Sequence, residues 1–231
     1  PAPQDIPQPE EKIVSVLEGP PADGAPGPVS EAVSAGAPER GHVLVLLAHP
    51  SGESLNAALA RAAVGVLREN GYGVWFHDLY AEGFDPVLTL EELNAPASGA
   101  LAEYQRELQE AEGILVFHPN WWGQPPAILT GWLDRVLREG IAYAKEADGT
   151  ITGRLKARAA LVFNTSNTPA PQEDARFGDP LQRLWKDCVF GLCGVPAFDR
   201  CMFRVVAQST PQQRQSWLEE VRAMVSAYFP K

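Results

Sequence analysis

From His42 onward the chain alternates between two hydrophobic rhythms. Val43 to Ala48 is an unbroken apolar run closed by a Pro-Ser-Gly turn, the pattern of a parallel strand buried on both faces. Ser54 to Glu69 follows with Leu55, Leu59, Ala62 and Val66 at spacings of four and three, which predicts a helix with one inward stripe. Asn70-Gly71 stops that helix. Tyr72 to His77 is the second predicted strand, and Leu101, Tyr104, Leu108 and Ala111 mark the second helix. Gly113 to His118 is the third strand. Pro125-Pro126 then opens a helix with the apolar face Ile128, Leu129, Trp132, Leu133, Val136 and Leu137. Asp148-Gly149 signals a hairpin-like excursion. Ala159 to Asn164 is the fourth strand, Leu181 to Leu192 a helix, and Arg200 to Ala207 the fifth strand. Trp217, Val221, Met224, Val225 and Tyr228 give the closing helix its stripe. Strands alternating with helices, joined by right-handed crossovers, imply an α/β fold: an open parallel sheet with helices on both faces. No internal repeat is evident.

Residues 1–41 break the pattern. They are rich in Pro, Ala, Gly and acidic side chains, with Lys12 and Arg40 as the only bases, and cannot bury enough apolar surface to offset the entropy of ordering. The expected organisation is a mobile tail over 1–41, with one short amphipathic turn at Glu10 to Glu18, and a single domain over 42–231. The tail is a candidate docking arm for a partner or a second subunit. The sequence opens at Pro1 rather than methionine, as a trimmed or partial product would, and Pro1 to Glu11 lacks the charged start and apolar middle of a secretory signal.

A formal net charge of −10 argues against nucleic acid as a partner. No apolar run approaches the roughly 20 residues of a membrane helix, so a cytoplasmic location is expected. The three cysteines, Cys188, Cys193 and Cys201, lack CxxC spacing and are expected to be reduced, mostly buried thiols; no metal site is expected.

In a doubly wound sheet, ligands bind beyond the carboxyl ends of the strands. Three loops leave such ends, and all three are rich in small, polar or aromatic residues. The first, His49 to Asn56, runs into a helix whose N-terminal N–H groups can hold a phosphate, with Ser54, Asn56 and His49 as further donors. Ser51 or Ser54 serves equally as a plain cap. Glu53 is expected to face solvent. The loop is neither a GxxxxGK nor a GxGxxG sequence. The second loop, Pro119 to Gln124, sets Trp121 and Trp122 beside Gly123, either as a bed for a flat ring or as an apolar plug over the sheet. The third, Thr165 to Pro171, begins with Thr165, Ser166, Asn167 and Thr168, suited to a polar ring edge or to a simple turn.

His49-Pro50 followed by Ser54-Leu55-Asn56, the stretch HPNWWGQPPAILTGWLDRV from His118 to Val136, and FGDPLQRLWKDCVFGLCGV from Phe177 to Val195 together resemble the NAD(P)H:quinone oxidoreductases. Bacterial members of that family include the modulators of drug activity and the ancillary subunits of potassium efflux systems. The resemblance covers roughly residues 42 to 229. It implies a flavodoxin-like three-layer sandwich with strand order 2-1-3-4-5, a tightly bound flavin (FMN or FAD), and a homodimer with its site at the interface. It assigns His49, Ser54, Leu55 and Asn56 to the flavin phosphate and ribityl chain, Pro119, Asn120, Trp121, Trp122 and Gly123 to the isoalloxazine, and Thr165, Ser166 and Asn167 to the pyrimidine edge. It also implies NAD(P)H as co-substrate and a quinone-like acceptor. The mammalian members carry a tyrosine and a histidine after the third loop; Thr168 to Phe177 has neither, which leaves the proton relay unassigned, with Asp174 and Arg176 the nearest candidates.

Competing classes are a flavin-binding ancillary subunit of a membrane transporter, a one-electron carrier like the small flavodoxins, and a hydrolase. The last finds no GxSxG and no Ser-His-Asp set. Of the four histidines, His42 and His77 are expected to be structural, and the role of His118 stays open.

Overall fold

The computed structural model of the chain describes Pro38, Arg40 and residues 41–231. The expected tail, its amphipathic turn and most of its boundary lie outside the described residues. Chain order runs β1 (His42–Leu47), α1 (Leu55–Glu69), β2 (Gly73–Asp78), α2 (Leu90–Asn94), α3 (Gly99–Glu110), β3 (Gly113–Pro119), α4 (Ala127–Val136), β4 (Tyr143–Lys145), β5 (Ile151–Gly153), β6 (Ala159–Ser166), α5 (Ala170–Phe177), α6 (Pro180–Arg183), a π-helical segment (Leu184–Gly191), β7 (Ala197–Arg204) and α7 (Pro211–Tyr228).

The main sheet is parallel, with order β2-β1-β3-β6-β7. Counted in chain order within that sheet, this is the expected 2-1-3-4-5. The small antiparallel pair β4–β5 is the excursion around Asp148-Gly149. The apolar runs of β1, β3 and β6 exist because both faces are covered. Leu44, Leu46, Ile114, Val116, Ala160 and Val162 meet α3, α4 and the π-helical segment. Val43, Val45, Leu47, Leu115, Phe117, Leu161 and Phe163 meet α1 and α7. Phe117 and Phe163 stack across neighbouring strands, ring centroids 4.9 Å apart. Among the described residues no helix is long and apolar enough to cross a membrane.

Several expectations need correction. The fifth strand starts and ends three residues earlier than its apolar content suggested, because Val205 takes a left-handed conformation (φ 61°) that breaks the ladder. The predicted helix Leu181 to Leu192 is a single α turn that widens into π-helix, a spacing that brings Trp185, Val189 and Phe190 together on the buried side. Two short helices, α2 and α5, were not expected. All three cysteines are free, but only Cys193 is buried; Cys201 is half-buried and Cys188 is exposed.

Candidate functional site

The carboxyl ends of β1, β3 and β6 bring the three loops to one edge of the sheet. The first is held by its own polar groups. Ser54 is the N-cap of α1, its Oγ accepting from the Ala57 N–H at 3.2 Å. The Ser51 N–H donates to His49 Nδ1 at 3.0 Å, and Ser51 Oγ accepts from the Glu53 N–H. Burial lowers the His49 pKa against the weaker pulls of Ser51 and Asp78, so its ring favours the neutral form. Glu53 faces solvent, as expected. The backbone N–H groups of Leu55 and Asn56 point out of the helix with no hydrogen-bond partner among the described residues.

Asn56 departs from its expected role. Its Nδ2 donates across the site to Thr165 Oγ1 at 2.8 Å, tying the first loop to the third. What remains is its Oδ1, buried and without a partner. In this arrangement Asn56 presents its Oδ1 as an acceptor beside the free N–H groups of α1. An unpaired buried acceptor costs about 1–3 kcal/mol, a debt that a ligand hydroxyl or N–H removes.

The second loop is a tight hairpin. Trp121 and Gln124 exchange backbone hydrogen bonds at 3.1 Å in both directions, with Trp122 (φ 58°) and Gly123 (φ 74°) between them. Positive φ at both central residues makes this a type I′ turn, where Asn-Gly is the preferred pair. A tryptophan in that backbone is strained, and strain of this kind collects at functional sites. Trp122 is 97% exposed and Trp121 41% exposed, so neither is a plug over the sheet. The Trp121 ring lies 6.3 Å from that of His49, joining the first loop to the second. Pro119 is the buried last residue of β3, registered opposite Thr165, and the Asn120 N–H donates to Thr165 O at 2.7 Å.

In the third loop Ser166 Oγ accepts from the Thr168 N–H at 3.1 Å. Asn167 is exposed, and its Oδ1 accepts from the Ala207 N–H at 2.9 Å, which braces the loop. Thr165 and Ser166 are buried at the end of β6.

Two networks under this edge were missed from sequence. His118, fully buried, donates from Nδ1 to Pro119 O at 2.8 Å, while Nε2 accepts from Trp185 Nε1 at 3.0 Å and faces Asn164 Nδ2 at 2.8 Å. Because indole N–H only donates, the neutral Nδ1–H tautomer is the one present. Asn164 Oδ1 accepts from Arg200, which also engages Gln182 and pairs with Asp179. His118 thus has a structural role. The second network centres on Glu173 of α5, 2% exposed, which accepts from Asn120 Nδ2 and sits 3.5 Å from Ser166 Oγ and 3.6 Å from Arg204 Nε. Asp174 and Arg176, the candidates nearest to it in sequence, are exposed. Pro169 and Pro171 are the signal that could have revealed the helix carrying Glu173.

This edge suits a ligand with an anionic group at the opening of α1, hydroxyl or N–H donors for the free acceptors of Asn56 and Asn120, and a flat ring at the Trp121–Gly123 turn. Fold and site together define a flavodoxin-like α/β protein whose candidate site lies at the carboxyl edge of the sheet. Comparison with known proteins narrows this class. A family model described as flavodoxin-like fold matches residues 41–225. A Haemophilus influenzae protein named as an uncharacterized NAD(P)H oxidoreductase is 34% identical over 185 residues, 76% of this chain and 90% of that one. The rat ribosyldihydronicotinamide dehydrogenase [quinone] is 32% identical over 212 residues, 79% and 91% of the two chains. The solved NAD(P)H:quinone oxidoreductase of Methanothermobacter marburgensis superposes with a TM-score of 0.71 at 24% identity, covering 81% of this chain and 96% of that one. The chain belongs to the NAD(P)H:quinone oxidoreductase family and is an oxidoreductase on the flavodoxin-like fold.

Proposed function

We propose that this protein is a flavin-dependent NAD(P)H oxidoreductase that passes a hydride from a nicotinamide to a quinone or similar small acceptor. The observation that carries the reading is the pair of unpartnered buried acceptors, Asn56 Oδ1 and Asn120 Oδ1, at an edge that also has free N–H groups on α1. FMN and FAD share the groups that match: a phosphate, ribityl hydroxyls and a ring imide N–H. The residues that would hold a flavin are Leu55 and Asn56 for the phosphate and ribityl chain, Trp121 to Gly123 for the ring, and Thr165 and Ser166 for its polar rim. When bound, the flavin supplies the hydride chemistry; the protein supplies position and electrostatics. The Trp122 and Gly123 N–H groups, not used by the turn's own bonds, would meet charge at the ring edge, and His49, favouring its neutral form, would add little positive charge beside the phosphate.

A second copy of the chain is the proposed cover for the exposed rings of Trp121 and Phe177, and the cytoplasm the proposed compartment. The test begins with the visible spectrum of the purified protein and titration of its flavin-free form with FMN and FAD. NAD(P)H consumption is then followed with a soluble quinone, and sedimentation gives the assembly state. Uptake of one flavin and quinone-dependent turnover support the reading. A colourless protein that takes up neither flavin refutes it, and a flavoprotein without turnover points instead to an ancillary subunit.

A further inference from the structure

The residue that fixes what the second loop offers to a ligand is not on that loop. Glu173 lies in α5, yet its carboxylate is buried under the site. Its Oε1 accepts from Asn120 Nδ2, and its Oε2 lies 3.5 Å from Ser166 Oγ and 3.6 Å from Arg204 Nε. The carboxylate thus spans the second and third loops at the point where the Asn120 N–H also joins them. An ionised carboxylate accepts and never donates, whereas an amide does both. Facing Glu173, the Asn120 amide has one orientation that makes a hydrogen bond: Nδ2 toward the carboxylate. Its Oδ1 is then left over, and that atom is buried with no partner among the described residues.

We infer that Glu173 is a positioning residue for the flavin. By holding the Asn120 amide in one orientation it makes the second loop present an acceptor, and so selects a ring with an N–H at that place. It also sets a carboxylate, 3.6 Å from Arg204 Nε, at the junction of the two loops that would hold the ring. This inference rests on the flavin reading above. It gives a role to the segment after the third loop: the buried residue there is a carboxylate that acts through Asn120.

Glu173→Gln tests it, since glutamine keeps the size but can donate to Asn120 Oδ1 and turn the amide round. Dissociation constants for FMN and FAD are measured by fluorescence quenching on flavin-free wild type, E173Q, Asn120→Ala and the double variant, with the two-electron midpoint potential of each loaded form and the melting temperature of each flavin-free form. E173Q is expected to loosen flavin about tenfold, on the scale of one buried hydrogen bond. Its potential is expected to rise, because removing a negative charge favours the electron-rich form. In the Asn120→Ala background the same change should leave oxidised-flavin affinity unaltered, since the amide it acts through is gone. Wild-type affinity and potential in E173Q would overturn the inference, as would a full-sized affinity loss in the Asn120→Ala background. Should E173Q not fold, Asn120→Ala alone decides: a tenfold loss supports the role of the amide and none overturns it. Failure of wild type to take up either flavin overturns the functional reading instead, and this inference with it, a result distinct from a wild type that binds and a variant that binds equally.

Discussion

Acidification is expected to destabilise the fold through His118. The ring is fully buried, and burial drives its pKa down to about 4 from 6.5; the bond to Pro119 O opposes the shift and the charge of Arg200 adds to it. The unfolded chain takes up the proton near 6.5, while the folded chain resists it until about 4. The contribution is therefore fully present above 6.5 and is lost as pH falls through the interval down to 4. At 1.36 kcal/mol per pH unit, the loss is about 2 kcal/mol by pH 5 and about 3 kcal/mol at pH 4 and below. Against a whole-domain stability of about 5–15 kcal/mol, that is a large fraction.

Urea unfolding of wild type and His118→Gln, from about pH 8 to pH 4.5, isolates this residue from the carboxylates that titrate in both. Glutamine accepts from Trp185 and donates to Pro119 O but carries no titrating group, so the variant starts lower at pH 8, by about 1–2 kcal/mol for imperfect bonds. It then lacks the loss that wild type suffers, and by pH 5 the difference should move by about 2 kcal/mol in the variant's favour, closing or reversing the gap. A gap that stays constant across this range would refute the assignment of His118 as a buried neutral acceptor.

His77 should bend the profile the other way. Burial disfavours its charge, but its bonds to Glu107 and Glu82, together with their charges, outweigh burial and raise the pKa to about 9, so its stabilisation holds below 6.5 and is lost as pH rises through 9; His77→Gln should flatten the alkaline side, and parallel unfolding profiles would count against the ion pair. Gly113 opens β3 where an added Cβ would stand 2.3 Å from the Phe229 ring, so Gly113→Ala should cost about 1–3 kcal/mol by overpacking, seen as a lower melting temperature. Trp122→Asn restores the Asn-Gly pair that a type I′ turn favours, so the flavin-free melting temperature should not fall, while flavin affinity weakens by about 1–3 kcal/mol, the scale of losing a large aromatic contact; a drop of several degrees would show that the ring belongs to the fold's packing.

The central strands were legible because burial on both faces leaves no polar position to interrupt them: β1, β3 and β6 lie within two residues of their apolar runs. The edge strand β7 was misplaced because Asp199 and Arg200 interrupt its apolar content and hide the start at Ala197. In the structure Arg200 sits in the strand with its charge met by Asp179 and its N–H groups by Asn164 and Gln182, partners from other elements. The short helices α2 and α5 escaped notice for want of an apolar stripe, since α2 buries no residue and α5 buries only Glu173. That the three loops meet at one edge was legible, because the strand ends fix where each leaves the sheet. The role of each polar atom was not. Asn56 is tied to Thr165, 109 residues away, and the orientation of the Asn120 amide depends on a helix the pattern did not reveal.

The two buried networks also show how this edge is kept in place. β3 and β6 are registered so that Pro119 faces Thr165, and the last paired residues of both strands carry the site loops directly. Beneath them His118 and Asn164 are neighbours on the same two strands, locked by Trp185 and Arg200. Just beyond, Asn120 and Ser166 are joined by Glu173. The His118 layer fixes one geometry because its alternatives leave a buried donor or acceptor unpaired. A substitution in the His118 layer should therefore alter ligand affinity without touching the ligand, by freeing the strand ends that carry both loops. His118→Gln separates the two effects: at a pH where its fold is intact, a loss of flavin affinity that is absent in a surface variant of equal stability would show that the sheet edge transmits the change, and unchanged affinity would show that the Glu173 bridge alone sets the loops.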